Sequence, residues 1–127
     1  MFDKQLIRLA WEHFDEKSTA NKGVKGSIPI LFFGNYERYV ASKIKVITVG
    51  LNPSKVEFSK QRFDTGPNIR YDNDAFINTL SNYFSNNPYC RWFNNFEKIL
   101  QHLGCTYYDK DYPKTCSPVP QWWQRKS

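Results

Sequence analysis

Asn52 is the residue whose type and setting most clearly allow chemistry. It lies in the stretch Gly50-Leu51-Asn52-Pro53-Ser54, directly after an apolar run over residues 43–50. Gly50 permits an unusual backbone angle or the close approach of a ligand, and Pro53 favours an extended backbone at Asn52. An asparagine offers one acceptor and two donors, so a fixed Asn52 can hold a water for attack without being a strong base. The alternative is an ordinary strand-ending turn, where Asn-Pro is common.

The run KIKVITVG, residues 43–50, predicts the strand that positions this motif. It is β-branched and nearly continuous in its apolar character, which is typical of a strand covered on both faces. Helical patterns surround it, so the sequence predicts an α/β fold with a parallel sheet. Ligands of open α/β sheets bind beyond the carboxyl ends of the strands, which is where Asn52 would lie.

The remaining elements are mostly helical. Apolar residues at three- and four-residue steps predict a helix over residues 3–17, and Asn35 can cap a short helix that ends near residue 42. Asp72 or Asn73 caps another, and a further helix spans about residues 92–103, with Gly104 as its C-terminal signal. The residues CTYY, 105–108, can form a second strand. The long loop over residues 51–72 is of a length that is usually functional or disordered.

Basic residues are concentrated around the Asn52 motif. The chain has a net charge of +6, and residues 17–62 contain nine Lys or Arg against two Glu, a net of +7. A cationic surface suits a polyanion such as nucleic acid, and the alternative is a solvated lysine surface of an ordinary protein.

The composition argues against a metal site, a disulfide framework and a membrane anchor. Cys90, Cys105 and Cys116 show no CxxC spacing, and the histidines form no HExxH pattern, so we expect reduced, structural thiols and no metal or cofactor. No apolar run approaches the roughly 20 residues that cross a bilayer, and the N-terminus predicts an amphipathic helix and not a signal peptide. We therefore expect a cytoplasmic protein.

The stretch GLNPS after a hydrophobic strand resembles the first motif of the uracil-DNA glycosylase superfamily. It is most similar to the Gly-Ile-Asn-Pro-Gly form of the mismatch-specific uracil/thymine glycosylase branch. The resemblance implies a three-layer α/β fold with a parallel central sheet, and base excision from DNA by water attack on the N-glycosidic bond. No cofactor is implied, and DNA carrying uracil or a mismatch would be the partner.

The same resemblance assigns roles to individual residues. Asn52 would be catalytic and would position the water. Phe63, eleven residues later, would stack on the extruded base, with Phe58 as the second choice. Further base contacts would come from Gly50, Leu51, Pro53 and Ser54. Phosphate contacts would come from Lys55, Lys60 and Arg62.

The second motif of that superfamily, a His-Pro-Ser-like or Asn-Pro-Ser-like sequence near the C-terminus, has no counterpart in this chain. We therefore expect a partial glycosylase-like domain over residues 1–115, incomplete at its C-terminus, and a divergent tail over 116–127. Two alternatives follow: a non-catalytic nucleic-acid-binding relative, or a protein-interaction module anchored by Trp122 and Trp123.

Overall fold

The computed structural model describes residues 2–21, 26–50, 55–59, 62–63 and 65–108. These residues form five α-helices and one 3₁₀ helix. The helices are α1 (Lys4–Asn21), α2 (Tyr36–Ala41), α3 (Val56–Ser59), α4 (Asn73–Ser81) and α5 (Cys90–His102), with the 3₁₀ helix at Tyr83–Ser85. Within the described ranges, no helix is both long enough and apolar enough to cross a membrane. The predicted boundary between residues 115 and 116 lies outside them.

The predicted α/β fold with a parallel central sheet is wrong, because the described residues contain helices and no strand. Residues 43–50, which we call the extended segment after their predicted conformation, have no regular secondary structure. Ile47 and Val49 are 70% and 86% exposed, so the segment is not covered on both faces. Residues 105–108 also lack strand pairing. β-Branched residues favour an extended backbone locally, but a strand also needs a neighbour to pair its N–H and C=O groups. The described part of the chain provides no such neighbour.

The caps predicted from the sequence are confirmed. The Asn35 side chain accepts a hydrogen bond from the backbone N–H of Arg38 (3.0 Å) at the start of α2. The Asp72 carboxylate accepts one from Ala75 N–H (3.1 Å) and begins α4. Gly104 has a φ of 71°, a value that favours glycine, and it follows the end of α5. Local chemistry therefore fixes these helix ends.

Helix α1 begins within a residue of its predicted start but runs beyond residue 17 to Asn21. Ile7 and Trp11 are its buried residues, and the Trp11 ring packs 5.3 Å from that of Phe76 in α4. The Arg70 guanidinium lies 4.5 Å from the Trp11 ring and donates two hydrogen bonds of 2.7 Å to the Asp15 carboxylate. The hydrogen bond from Arg70 lowers the pKa of Asp15. An aromatic contact and a bidentate ion pair thus attach α1.

A cluster of aromatic rings forms the centre of the core. Tyr83 is fully buried, and its ring centroid lies 4.6 Å from that of Phe33, 5.0 Å from that of Phe63 and 5.6 Å from that of Phe93. Two of these three pairs, those with Phe33 and Phe93, meet edge to face, a favourable geometry for aromatic rings. Helix α5 contributes Phe93, Glu97 and Leu100 to the interior. We call the rings of Phe33, Phe63, Tyr83, Phe84 and Phe93 the aromatic core.

Glu97 connects α5 to the residues that follow it. It is 1% exposed, and its carboxylate accepts hydrogen bonds from the Thr106 hydroxyl and from the backbone N–H of Tyr107 (3.1 Å). The Tyr107 hydroxyl in turn donates to Thr48 Oγ1 (2.6 Å) in the extended segment. A buried carboxylate is tolerated when hydrogen bonds satisfy its oxygens, and here it helps to position residues 43–50.

Candidate functional site

Half of the residues predicted to act at the site lie outside the part of the chain that the structure describes. These are Leu51, Asn52, Pro53, Ser54 and Lys60. The role of Asn52 as water-positioner therefore stays a prediction.

Gly50 is the residue of the motif that the structure places. A Cβ atom added to Gly50 would lie 3.2 Å from Cζ2 of Trp92 in α5, closer than most such contacts. The glycine therefore permits a close approach, as the sequence suggested, but the neighbour that comes close is an aromatic ring of this chain. The extended segment thus enters the Asn52 motif directly beside α5.

Phe58 and Phe63, the two predicted base-stacking residues, pack on each other. Their rings are stacked with centroids 6.0 Å apart and an interplanar angle of 28°. Phe63 is only 4% exposed because it also packs in the aromatic core, whereas Phe58 is half-buried. The structure therefore brings the two predicted residues together, with most of the Phe63 ring covered by other rings.

The two described phosphate-contact candidates differ in their surroundings. Lys55 is exposed. The Arg62 side chain is only 12% exposed, lies 3.7 Å from the Glu57 carboxylate and donates a hydrogen bond of 2.7 Å to the Asn87 carbonyl. Its guanidinium also lies 5.1 Å from the Tyr89 ring. Arg62 is thus held within the fold, while Lys55 remains accessible to a phosphate.

Beside Arg62, a buried hydrogen bond joins the Tyr83 hydroxyl to the Glu57 carboxylate. The Tyr83 hydroxyl donates to Glu57 Oε2 (2.6 Å) and accepts from the backbone N–H of Tyr89 (2.9 Å). Burial raises the pKa of Glu57, and the hydrogen bond from Tyr83 and the charge of Arg62 oppose that rise. Burial, together with the bond to Glu57, also raises the pKa of Tyr83. The net result is a pKa of Glu57 above its ordinary value, so the fold favours the protonated form of this carboxyl.

Asparagines and threonines make up six of the eleven described residues that line the cavity next to Phe63. We call it the asparagine cleft: it is an open cleft of about 840 Å³, and none of its described lining residues has an ionisable side chain. Its lining is Phe63, Thr65, Gly66, Pro67, Asn68, Ile69, Ala75, Asn78, Thr79, Asn82 and Asn86. The Thr79 hydroxyl is buried and has no hydrogen-bond partner. A buried hydroxyl without a partner costs free energy.

Helix α4 and the turn after it position the cleft amides. Asn78 lies in α4, Asn82 caps its C-terminus, and Asn86 follows the 3₁₀ helix. The Asn86 amide donates to the Arg62 carbonyl (3.3 Å), which fixes one wall. Sequence reasoning missed this cleft, although the repeat of asparagine every four residues from Asn78 to Asn86 places the amides on one side of a helix and its extension.

The chemistry of this cleft is that of recognition. Each amide carries donors and an acceptor, and each threonine hydroxyl can donate or accept, so the lining can match the polar edge of an uncharged heterocycle. Among the lining residues that the structure describes, none can serve as a strong acid, a strong base or a metal-binding carboxylate. In the described ranges, no group of three His, Cys, Asp or Glu could hold a metal ion.

The cysteines differ in state. Cys105 is a free thiol, but Cys90 is bonded in a disulfide. The expectation of reduced thiols is therefore wrong for Cys90.

Comparisons with protein-family models, with curated proteins and with solved structures find no match to this chain.

Proposed function

We propose that this chain binds nucleic acid and holds one nucleobase in the asparagine cleft. The observation that carries the proposal is the cleft lining, in which four asparagines stand together with two threonines. Asparagine pairs well with the edges of bases, and an unpaired base of a single strand exposes those edges. The described lining residues carry no charge, which suits a neutral base better than a phosphate.

Charge outside the cleft supports the same proposal. The net charge is +6, and exposed cations such as Lys55 and Lys45 stand in the basic region of the sequence. Phosphate contacts supply the affinity of most nucleic-acid complexes, and base contacts supply the preference. Phe63 offers little free ring surface, so amide hydrogen bonds carry the recognition and base stacking has a minor part.

Binding to a labelled single-stranded oligonucleotide, followed by fluorescence anisotropy, tests the cleft. Asn78→Ala and Asn82→Ala should each weaken binding by about 1–3 kcal/mol, the range for a good amide–base pair. Asn95→Ala is the matched control, because Asn95 is an exposed asparagine of α5 and does not line the cleft. Equal affinities for all three variants, or no binding by the parent chain, would refute the proposal.

The contribution of phosphate contacts to the affinity is tested separately, by the dependence of binding on salt. Affinity should fall as salt rises, and Lys55→Gln should reduce the slope of log K against log salt by about one for each lost phosphate contact. Lys98→Gln is the control, because Lys98 is an exposed lysine of α5. If Lys55→Gln and Lys98→Gln reduce the slope of log K against log salt equally, the attraction is a general effect of charge and Lys55 makes no specific phosphate contact.

We also propose that the bound base is excised, with Asn52 positioning the attacking water. This step is supported by the GLNPS sequence and its resemblance to glycosylases, and by no contact among the described residues. Uracil-containing and mismatched oligonucleotides should acquire abasic sites with the parent chain, and Asn52→Ala should abolish that product while binding persists. Binding without any abasic product would leave a non-catalytic nucleic-acid-binding protein. The proposed location is the cytoplasm, which cell fractionation tests.

A further inference from the structure

A second cavity lies next to the asparagine cleft, and its lining differs from that of the cleft in carrying charge. We call it the α1 cavity: it is an open cavity of about 470 Å³, which falls in the usual size range of small-ligand sites. Lys4, Arg8 and Trp11 of α1 line it, together with Arg70 and Tyr71 of the turn that precedes α4.

That turn separates the two cavities. Residues 65–69 line the asparagine cleft, and residues 70 and 71 line the α1 cavity. The Asn68 carbonyl accepts hydrogen bonds from the backbone N–H of Tyr71 (2.9 Å) and from that of Asp72 (3.1 Å). These bonds fix the turn, and residues joined across such a turn have Cα atoms within about 7 Å of each other. Asn68 in the cleft and Tyr71 in the α1 cavity are therefore close neighbours.

Tyr71 presents an uncovered aromatic ring at this turn. The residue is 84% exposed, so its ring contributes little to the core. Its neighbour Arg70 is held in place, because the guanidinium lies 4.5 Å from the Trp11 ring and is bonded to the Asp15 carboxylate. Proteins that bind single strands stack successive bases on aromatic side chains with a free face. The Tyr71 ring meets that requirement, which the buried Phe63 does not.

The charge of the α1 cavity suits the backbone of a nucleic acid. Lys4, Arg8 and Arg70 line it against Glu12 and Asp15, so three cations face two carboxylates, a net charge of +1. Arg70 is bonded to Asp15, and Arg8 lies 3.9 Å from Glu12. Lys4 is exposed and forms no ion pair with any residue in the described ranges. Its ammonium group is therefore the cation of the cavity that is available to a phosphate.

We propose that Tyr71 stacks on the base next to the one held in the asparagine cleft, and that the phosphate of this neighbouring nucleotide contacts Lys4. The inference rests on the proposed binding of nucleic acid, and it specifies the partner as a single strand that crosses the turn before α4. Stacked nucleotides of one strand are about 3.4 Å apart and unstacked ones are further apart, so neighbouring nucleotides can reach both sides of the turn. The cleft amides select one base, whereas the Tyr71 ring accepts any base, since every base has a π-face.

Fluorescence anisotropy with a labelled single-stranded oligonucleotide of mixed sequence tests the stack. Tyr71→Ala should weaken binding about 5- to 150-fold, the effect of losing one base–aromatic stack. Tyr71→Phe keeps the ring and should bind like the parent chain. Phe96→Ala is the matched control, because Phe96 is a partly exposed aromatic residue of α5 that lines neither cavity. Parent-like affinity of Tyr71→Ala, or an equal loss in Tyr71→Phe, would overturn the stack.

Circular dichroism and thermal unfolding of Tyr71→Ala show whether the fold is intact. Because the ring is exposed, the spectrum and the midpoint of unfolding should match those of the parent chain. A ligand with a single base then separates the stack from the cleft. In an NMR titration with thymidine, Asn78→Ala should weaken binding and Tyr71→Ala should leave it unchanged. If Tyr71→Ala weakens thymidine binding as much as oligonucleotide binding, Tyr71 contacts the base in the cleft and the inference is wrong.

The salt dependence of oligonucleotide binding tests the phosphate contact. Lys4→Gln should reduce the slope of log K against log salt by about one, and Lys98→Gln, at an exposed lysine of α5, should leave the slope unchanged. Equal slopes for Lys4→Gln and the parent chain would overturn the contact at Lys4.

Failure of the stack and failure of the proposed function give different results. If Asn78→Ala weakens oligonucleotide binding and Tyr71→Ala does not, the cleft still holds a base and the stack on Tyr71 is wrong. If Asn78→Ala and Asn82→Ala both bind like the parent chain, the cleft holds no base. Tyr71 then has no neighbouring base in the cleft, and both proposals are wrong.

Discussion

The aromatic core and the extended segment 43–50 are both apolar in sequence, yet only the first is buried. Tyr83 and Phe93 are 0% and 4% exposed, whereas Ile47 and Val49 are 70% and 86% exposed. The core rings come from four separate parts of the chain, and the Tyr83 hydroxyl has hydrogen-bond partners. In the extended segment, Thr48 accepts a hydrogen bond from the Tyr107 hydroxyl, whereas the polar contacts of Lys45 are with backbone carbonyls of residues 40 and 42 close by in the chain. Burial depends on how many elements converge on a residue as much as on its type.

Removal of a ring from the aromatic core should have the largest effect. Phe93→Ala deletes a side chain that contacts Phe33, Tyr83 and Phe84, and we expect a loss of about 3–5 kcal/mol in the free energy of unfolding. Urea denaturation followed by circular dichroism measures it. Phe96→Ala, in the same helix but 37% exposed, is the matched control. Equal losses in both variants would mean that the core is not centred on Phe93.

The second-largest loss of stability should come from removing the Glu97 carboxylate, which links the core to the residues that contact the extended segment. Glu97→Ala removes the acceptor for Thr106 and for the Tyr107 N–H, and a buried donor without a partner costs about 1–3 kcal/mol. Glu97→Gln retains one acceptor and should lose less. If the two substitutions cost the same, the carboxylate is not what holds residues 106 and 107.

Loss of the hydrogen bond between Tyr107 and Thr48 of the extended segment should have a smaller effect on stability. Tyr107→Phe removes the hydroxyl that donates to Thr48, which we expect to lower the free energy of unfolding by about 0.5–1.5 kcal/mol. Amide hydrogen exchange should then quicken in residues 43–50 and stay unchanged in α4. Uniform acceleration across both would show that the hydroxyl supports the whole fold and not this segment.

Glu57, which accepts the hydrogen bond from Tyr83, gives the core a pH dependence. Its pKa is raised in the folded state, so the folded chain binds the proton more tightly than the unfolded chain. This contribution to stability is present below the ordinary pKa of about 4.5 and is lost as pH rises through the raised value. We expect Glu57→Gln to remove that fall, as denaturation measured at a series of pH values above 4 should show. An identical pH profile in the variant would contradict the assignment.

The smallest effect should be in the extended segment itself. Val49 is 86% exposed, so Val49→Ala should change the free energy of unfolding by less than about 0.5 kcal/mol. The same denaturation assay measures it, and Phe93→Ala is the contrast. A loss comparable with that of the core variant would mean that Val49 is covered in solution.

Local signals in the sequence predicted the helix ends well, and pairing between distant segments was predicted poorly. Asn35, Asp72 and Gly104 act through bonds within a few residues, which the sequence shows directly. The sheet prediction failed because β-branched composition at residues 43–50 cannot say whether another segment pairs with it.

The candidate site divides in the same way. Phe58 and Phe63 were predicted as neighbours of a base, and the structure shows that they are neighbours of each other. The asparagine cleft was missed because its walls come from the loop residues 65–68 as well as from α4. The sequence shows only the four-residue repeat of asparagine. The walls of the cleft are positioned by contacts between residues far apart in the sequence, such as the hydrogen bond from Asn86 to the Arg62 carbonyl.

The bidentate pair of Asp15 and Arg70 has a consequence for the order of folding. It joins residues 55 positions apart, so its formation closes a long loop, whereas α4 and α5 are neighbours in sequence. Closure of long loops is entropically costly and slow compared with local contacts. We therefore expect α1 to dock on the rest of the fold after the folding transition state. Folding kinetics should then give low φ-values (the ratio of the change in folding activation free energy to the change in stability) for substitutions at Ile7 and Trp11, and higher ones in α4.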